Sequence, residues 1–174
     1  NPKDIRSQLQ IVNGTINPQD GTIKGNYTVS YGGYNALAWR NKYVDAEESA
    51  ITNDLKKEMP EWTLQNIVVK NKSESHERIY PLDFASGLSQ TFIGTYTLPD
   101  GYAIEEIPAN EILSLPEKGG RFSYQISQEG NQIQLKSAIN LSKLSYTSEE
   151  YHLVKEFFER VVQKQAKPLV IKKK

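Results

Sequence analysis

Two runs near the N-terminus, "SQLQIVNG" and "GTIKGNYTVSY", alternate apolar and polar side chains over most of their length. A period of two puts successive side chains on opposite faces of a strand, and between the runs "NPQDG" supplies Asn17, Pro18, Asp20 and Gly21, which favour a tight reversal. The pattern predicts a hairpin. From Asn35 to Met59 the spacing changes: Val44, Ile51, Leu55 and Met59 fall on one helical stripe, with Ala36, Tyr43 and Ala50 beside it and Pro60 ending the run. This predicts one long amphipathic helix. "WTLQNIVVK" returns to strand character, so the first unit reads ββαβ.

The polar stretch "NKSESHER" separates that unit from the rest and marks a division into residues 1–75 and 76–174, which can still pack as one compact unit. Beyond it, "LSQTFIGTYTLP" predicts a strand carrying Leu88, Phe92, Ile93, Tyr96 and Leu98. A second hairpin follows, with Phe122, Tyr124 and Ile126 in one arm, Ile133 and Leu135 in the other, and Glu129-Gly130-Asn131 between them. Thr147 opens "TSEE", a capping box, ahead of a helix whose stripe is Val154, Phe157, Phe158, Val161 and Val162. Acidic residues lie at its start, and Lys164 and Lys167 near its end, as the helix dipole prefers. Pro168 stops it, and "PLVIK" predicts a closing strand.

Composition narrows the function classes. The 174 residues are 37% hydrophobic, enough to bury a core, and formal net charge is zero. Balanced charge gives no bulk attraction for nucleic acid or an anionic membrane, and no apolar run approaches the roughly 20 residues of a bilayer span. The chain starts with Asn1-Pro2 rather than a charged and apolar leader, and so reads as a mature fragment or excised domain. It has no cysteine, which excludes disulfides, thiolate metal sites and a cysteine nucleophile.

Candidate chemistry is sparse. His76 lies among Glu74 and Glu77, yet "SESHER" lacks the second histidine of H-E-x-x-H, and an exposed loop histidine is the simpler reading. His152 falls off the apolar stripe of its helix, on a solvated or edge position. Glu105 and Glu106 are adjacent on a predicted edge strand, so they point to opposite faces and act as edge protection rather than a convergent acid/base pair. Tyr31, Tyr34 and Trp39 gather beside Gly32 and Gly33 and could stack on a sugar ring, or serve as ordinary core. Asn13, Asn26, Asn71 and Asn140 begin Asn-x-Ser/Thr matches, which matter only in a eukaryotic secretory setting. No nucleotide fingerprint or nucleophile elbow is present, and no cofactor or metal is called for.

In order along the chain, "DGTIKG", "YGGYNALAWR", "ERIYPLDF", "TYTLPDGYAIEEIPAN", "GGRFSYQISQEGNQIQLK" and "YTSEEYHLVKEFFERVVQK" resemble the C-terminal domain of bacterial transglutaminase-like proteins, often labelled cysteine proteases. The resemblance implies an α+β, mainly antiparallel architecture, with β-sandwich-like sheets packed against two amphipathic helices. In that family the Cys-His-Asp chemistry belongs to a central core, and no catalytic residue carries over to this chain. It therefore implies a non-catalytic accessory domain, exported to the periplasm or cell surface. Such a domain would dock on the catalytic core of its own polypeptide or position a protein or cell-envelope substrate. Two other readings stand beside it: an independent glycan or cell-envelope binding module using Tyr31, Tyr34 and Trp39, and a small hydrolase using Glu105 or Glu106 with His76.

Overall fold

The computed structural model describes residues 5–70, 87–144, 146 and 150–174. The alternating N-terminal runs form β1 (Ile5–Ile16) and β2 (Ile23–Gly32), paired antiparallel in unbroken register from Ser7 opposite Gly32 to Ile16 opposite Ile23. Their turn is held by Asp20, whose carboxylate accepts from the Thr22 amide at 2.9 Å and the Thr22 hydroxyl at 2.7 Å. Gly21 there adopts φ 71°, in the left-handed region that glycine reaches without a Cβ clash.

The single helix expected over residues 35–59 is two helices, α1 (Gly33–Tyr43) and α2 (Glu48–Glu58). Val44, counted in the stripe, caps α1 and is 58% exposed, whereas Ile51 on α2 is fully buried. The break brings the end of α1 against α2, with the Tyr43 hydroxyl donating to Asp54 Oδ2 at 3.0 Å and Lys42 Nζ 3.1 Å from the same oxygen. The strand expected in "WTLQNIVVK" is not formed: the backbone there is irregular, Asn66 takes φ 51°, and Val68 is 75% exposed.

The remaining strands are β3 (Gly87–Thr97), β4 (Tyr102–Glu106), β5 (Glu111–Ser114), β6 (Gly120–Glu129), β7 (Gln132–Leu141) and β8 (Val170–Lys173), with α3 (Tyr151–Gln165) before the last. The β6–β7 hairpin and the closing strand stand where the sequence placed them. Six strands form one sheet in the order β2-β1-β3-β7-β6-β5, and β4 pairs with β8 as a separate ribbon. The fold is α+β with a mostly antiparallel main sheet, and three helices occur among the described residues. The described residues do not form a full second sheet of a sandwich. One pairing departs from the antiparallel pattern: β1 runs parallel to β3 from Ile5 opposite Gly87 to Thr15 opposite Thr97. Strands from either side of residues 75/76 are thus neighbours in one sheet.

Register assigns the faces. Tyr124 lies opposite Ser137, Ser137 opposite Phe92, Phe92 opposite Gln10 and Gln10 opposite Val29, so all five share one face. This face carries Phe122, Tyr124, Ile126 and Ile133, which form a core with Phe157 and Val161 of α3 and with Leu98, Leu113 and Leu115. At its other end Trp39 of α1 meets Tyr31, and Trp62 meets Tyr27 at 5.0 Å between ring centroids. The opposite face presents Asn26, Thr28, Ser30, Gln134 and Lys136, all exposed, as expected for a sheet covered on one side.

Candidate functional site

The most distinctive surface lies on α3. Its apolar stripe of five, read from the sequence as one face, divides in the structure. Phe157 and Val161 are buried at 4% and 1% exposure, while Phe158 and Val162 face outward at 36% and 63%. With half-buried Val154 they make a second apolar row at i, i+4, i+8. At 1.5 Å per residue this row runs for about 12 Å. Lys155, Glu159 and Gln163 form a polar rim along it on the same helix. The charged rim is internally balanced, since Lys155 Nζ is 3.9 Å from Glu159 Oε1.

The helix is held to the sheet by polar links on its other side. Arg160 Nη2 and Lys164 Nζ approach Glu111 of β5 at 3.0 and 3.5 Å, and Gln165 Nε2 donates to Ser137 Oγ of β7 at 3.0 Å. Lys164 lies in the last turn of α3, as the helix dipole prefers, yet it is buried. It is 3% exposed and lies over the Tyr124 ring at 5.2 Å. Glu111 on a separate strand supplies the counter-charge that makes this burial tolerable, and no local signal around Lys164 announces it. The apolar row is consequently carried on an element fixed at its C-terminal half.

The aromatic candidates are brought together in part. Tyr31 stacks on Trp39 at 6.4 Å with 22° between planes, and Trp39 in turn meets Tyr43 at 4.8 Å and 51°. Tyr31, Tyr34 and Trp39 are all half-buried, and Tyr34 lies at the start of α1. Burial pushes the Tyr31 hydroxyl above its ordinary pKa, with the Glu58 charge adding to the effect. Beside the rings, hydrogen bonds from Lys42 and from Tyr43 hold the Asp54 carboxyl below its usual value. The Lys42 ammonium is raised by its contacts with Tyr43 and Asp54.

Glu105 and Glu106 are exposed on β4, and Glu105 Oε1 pairs with Lys172 Nζ of β8 at 2.8 Å. His152 is exposed on α3, whereas Glu74, His76, Glu77, Asn71 and the Thr147 cap lie outside the described residues. Asn13 and Asn26 face each other across β1 and β2, and Asn140 is on β7. Among the described residues no three His, Asp or Glu side chains could hold a metal ion, and no helix is long and apolar enough to cross a membrane.

Residues 58–171 match the family model of a domain of unknown function with a solved structure, DUF3858. This chain belongs to that family. One solved structure, described as a "putative protease" from Parabacteroides distasonis ATCC 8503, aligns at 21% identity and a TM-score of 0.42. The alignment covers 49% of this chain and 16% of that one, so the chain spans a small part of its length. No curated protein matches the chain.

Proposed function

We propose that this DUF3858 chain is a non-catalytic interaction domain of an exported transglutaminase-like protein. It docks through the outer row of α3 against the catalytic core of the same polypeptide, or holds a protein or cell-envelope substrate beside that core. The observation that carries the reading is the double-sided apolar character of α3. One side closes the domain's own core, and the other leaves Phe158 and Val162 in water on a helix that is already anchored. Neighbouring exposed apolar side chains rimmed by charge mark interaction surfaces more often than isolated ones do. The chain has no cysteine, so a cysteine nucleophile would have to come from elsewhere in such a polypeptide. A periplasmic or cell-surface location belongs to the same reading.

Hydrogen exchange provides the test. When the chain is mixed with the catalytic core of its parent protein, amides of α3 become protected, and those of the β1–β2 hairpin do not. Protection confined to other elements would remove α3 as the docking face. Hydrolysis of a peptide or amide substrate by the isolated chain would refute the non-catalytic role.

A further inference from the structure

The sheet face beneath the helices is interrupted at its centre by carboxamides. One row crosses five strands as Tyr31, Gln8, Gln90, Ile139 and Phe122, each opposite the next. The adjacent row, Val29, Gln10, Phe92, Ser137 and Tyr124, adds a third glutamine and a ring. At one end these rows enter the core closed by α3, and at the other they meet the rings of Tyr31 and Trp39. Between the ends, Gln90 is exposed, and Gln8, Gln10 and Phe92 are half-buried outside the α3 core. The middle of the face, between the Tyr31–Trp39 pair and the α3 core, therefore carries carboxamides and the Phe92 ring.

Its chemistry is specific. A carboxamide offers two N–H donors and a carbonyl acceptor, so neighbouring glutamines can both donate to and accept from vicinal hydroxyls. Gln8 and Gln90 stand on adjacent strands, about 4.8 Å apart. Two strand spacings from Tyr31 to Gln90 give about 10 Å before the row enters the α3 core at Ile139, the length of about two sugar rings. Aromatic rings supply apolar surface for the C–H face of a sugar. Neither row contains a carboxylate, lysine, arginine or histidine; Arg6 lies one step beyond Gln8 on the same face of β1, and Lys42 and Asp54 beside the rings are paired with each other. We propose that this strip of the sheet face binds a neutral oligosaccharide, with Gln8 and Gln90 as its hydrogen-bonding residues and Tyr31, Trp39 and Phe92 as its apolar contacts. The inference does not depend on docking by α3.

The test is a calorimetric titration of the whole chain with chitotetraose, cellotetraose and maltotetraose, with a neutral tetrapeptide as comparator and tryptophan fluorescence followed in parallel. The expected result is saturable binding of at least one of the sugars. Gln90→Leu and Gln8→Leu, which remove the amide and keep the bulk, should each weaken it about tenfold, equivalent to roughly 1.4 kcal/mol. Val162→Glu should leave sugar binding intact while affecting docking, so the two readings fail separately. Gln90 is exposed, so its variant retains the fold, which circular dichroism checks. Absence of binding by all three sugars, binding of the tetrapeptide alone, or unchanged affinity in the folded Gln90→Leu chain would overturn the assignment.

Discussion

Lys164 of α3 places its ammonium 3.5 Å from Glu111 Oε2 of β5 while retaining 3% side-chain exposure. This pair ties the last turns of α3 to an edge strand, and Arg160 contributes a second contact to the same carboxylate at 3.0 Å. Removing Glu111 would leave a buried cation without its counter-charge. Glu111→Ala should therefore destabilise the chain by about 3 kcal/mol, whereas Lys164→Met, which removes the charge and retains the stem, should cost less than about 1 kcal/mol. Urea unfolding of the two variants checks the asymmetry, and equal losses would show that the pair is solvated in solution.

Asp54 gives a pH dependence with a defined sign. Its carboxyl is held below its ordinary value by hydrogen bonds from Lys42 and the Tyr43 hydroxyl. A depressed folded-state pKa means that the carboxylate's contribution is present above the unfolded value of 3.8 and is lost as pH falls through the lower folded value. The difference in thermal midpoint between the wild-type chain and Asp54→Asn should be constant near neutral pH and shrink below about pH 4. A difference that grows on acidification would contradict the arrangement.

How much of this was legible in the sequence depends on how local each cause was. The β1–β2 turn could be read from Asp20 and Gly21 because the turn chemistry is contained within a few residues. The helix stripe misled at Val44 because helical spacing continues arithmetically across a break, and the break reflects packing of Tyr43 against Asp54. The parallel β1–β3 pairing joins segments far apart in the chain, so no local signal could announce it. For the candidate site, the five apolar residues of α3 were visible, but their division into buried and exposed rows follows from where the helix rests on the sheet. The meeting of Tyr31 with Trp39 was suggested by proximity in sequence, whereas the role of Tyr43 was not.

Gly94 of β3 provides a packing prediction. A Cβ built there would lie 2.6 Å from Cε2 and Oη of Tyr96, whose ring folds back over the glycine and against the α3 core. Gly94→Ala should destabilise by about 1–2 kcal/mol through overpacking. In the background of Tyr96→Ala the same change should cost little, so a double-mutant cycle should give a coupling of about 1 kcal/mol. Additive effects would place the Tyr96 ring elsewhere.

The exposed row of α3 predicts a separation of fold from function. Val162→Glu replaces a side chain at 63% exposure and should change stability by less than about 1 kcal/mol, whereas Phe158→Glu, at 36% exposure with its ring 5.5 Å from that of Phe157, should cost about 1–2 kcal/mol. Phe157→Ala, one residue away but 4% exposed, should cost about 3–5 kcal/mol. Thermal unfolding of the three variants distinguishes a ridge open to partners from one closed by the chain itself.

The most direct measurement of the proposed role is a titration of the wild-type chain and Val162→Glu against the catalytic core of the parent polypeptide, with core turnover followed throughout. Saturable binding that changes turnover is expected for the wild-type chain, with loss of both effects in Val162→Glu. Saturable binding retained in full by Val162→Glu, or no binding and no change in turnover with the wild-type chain, would contradict that role.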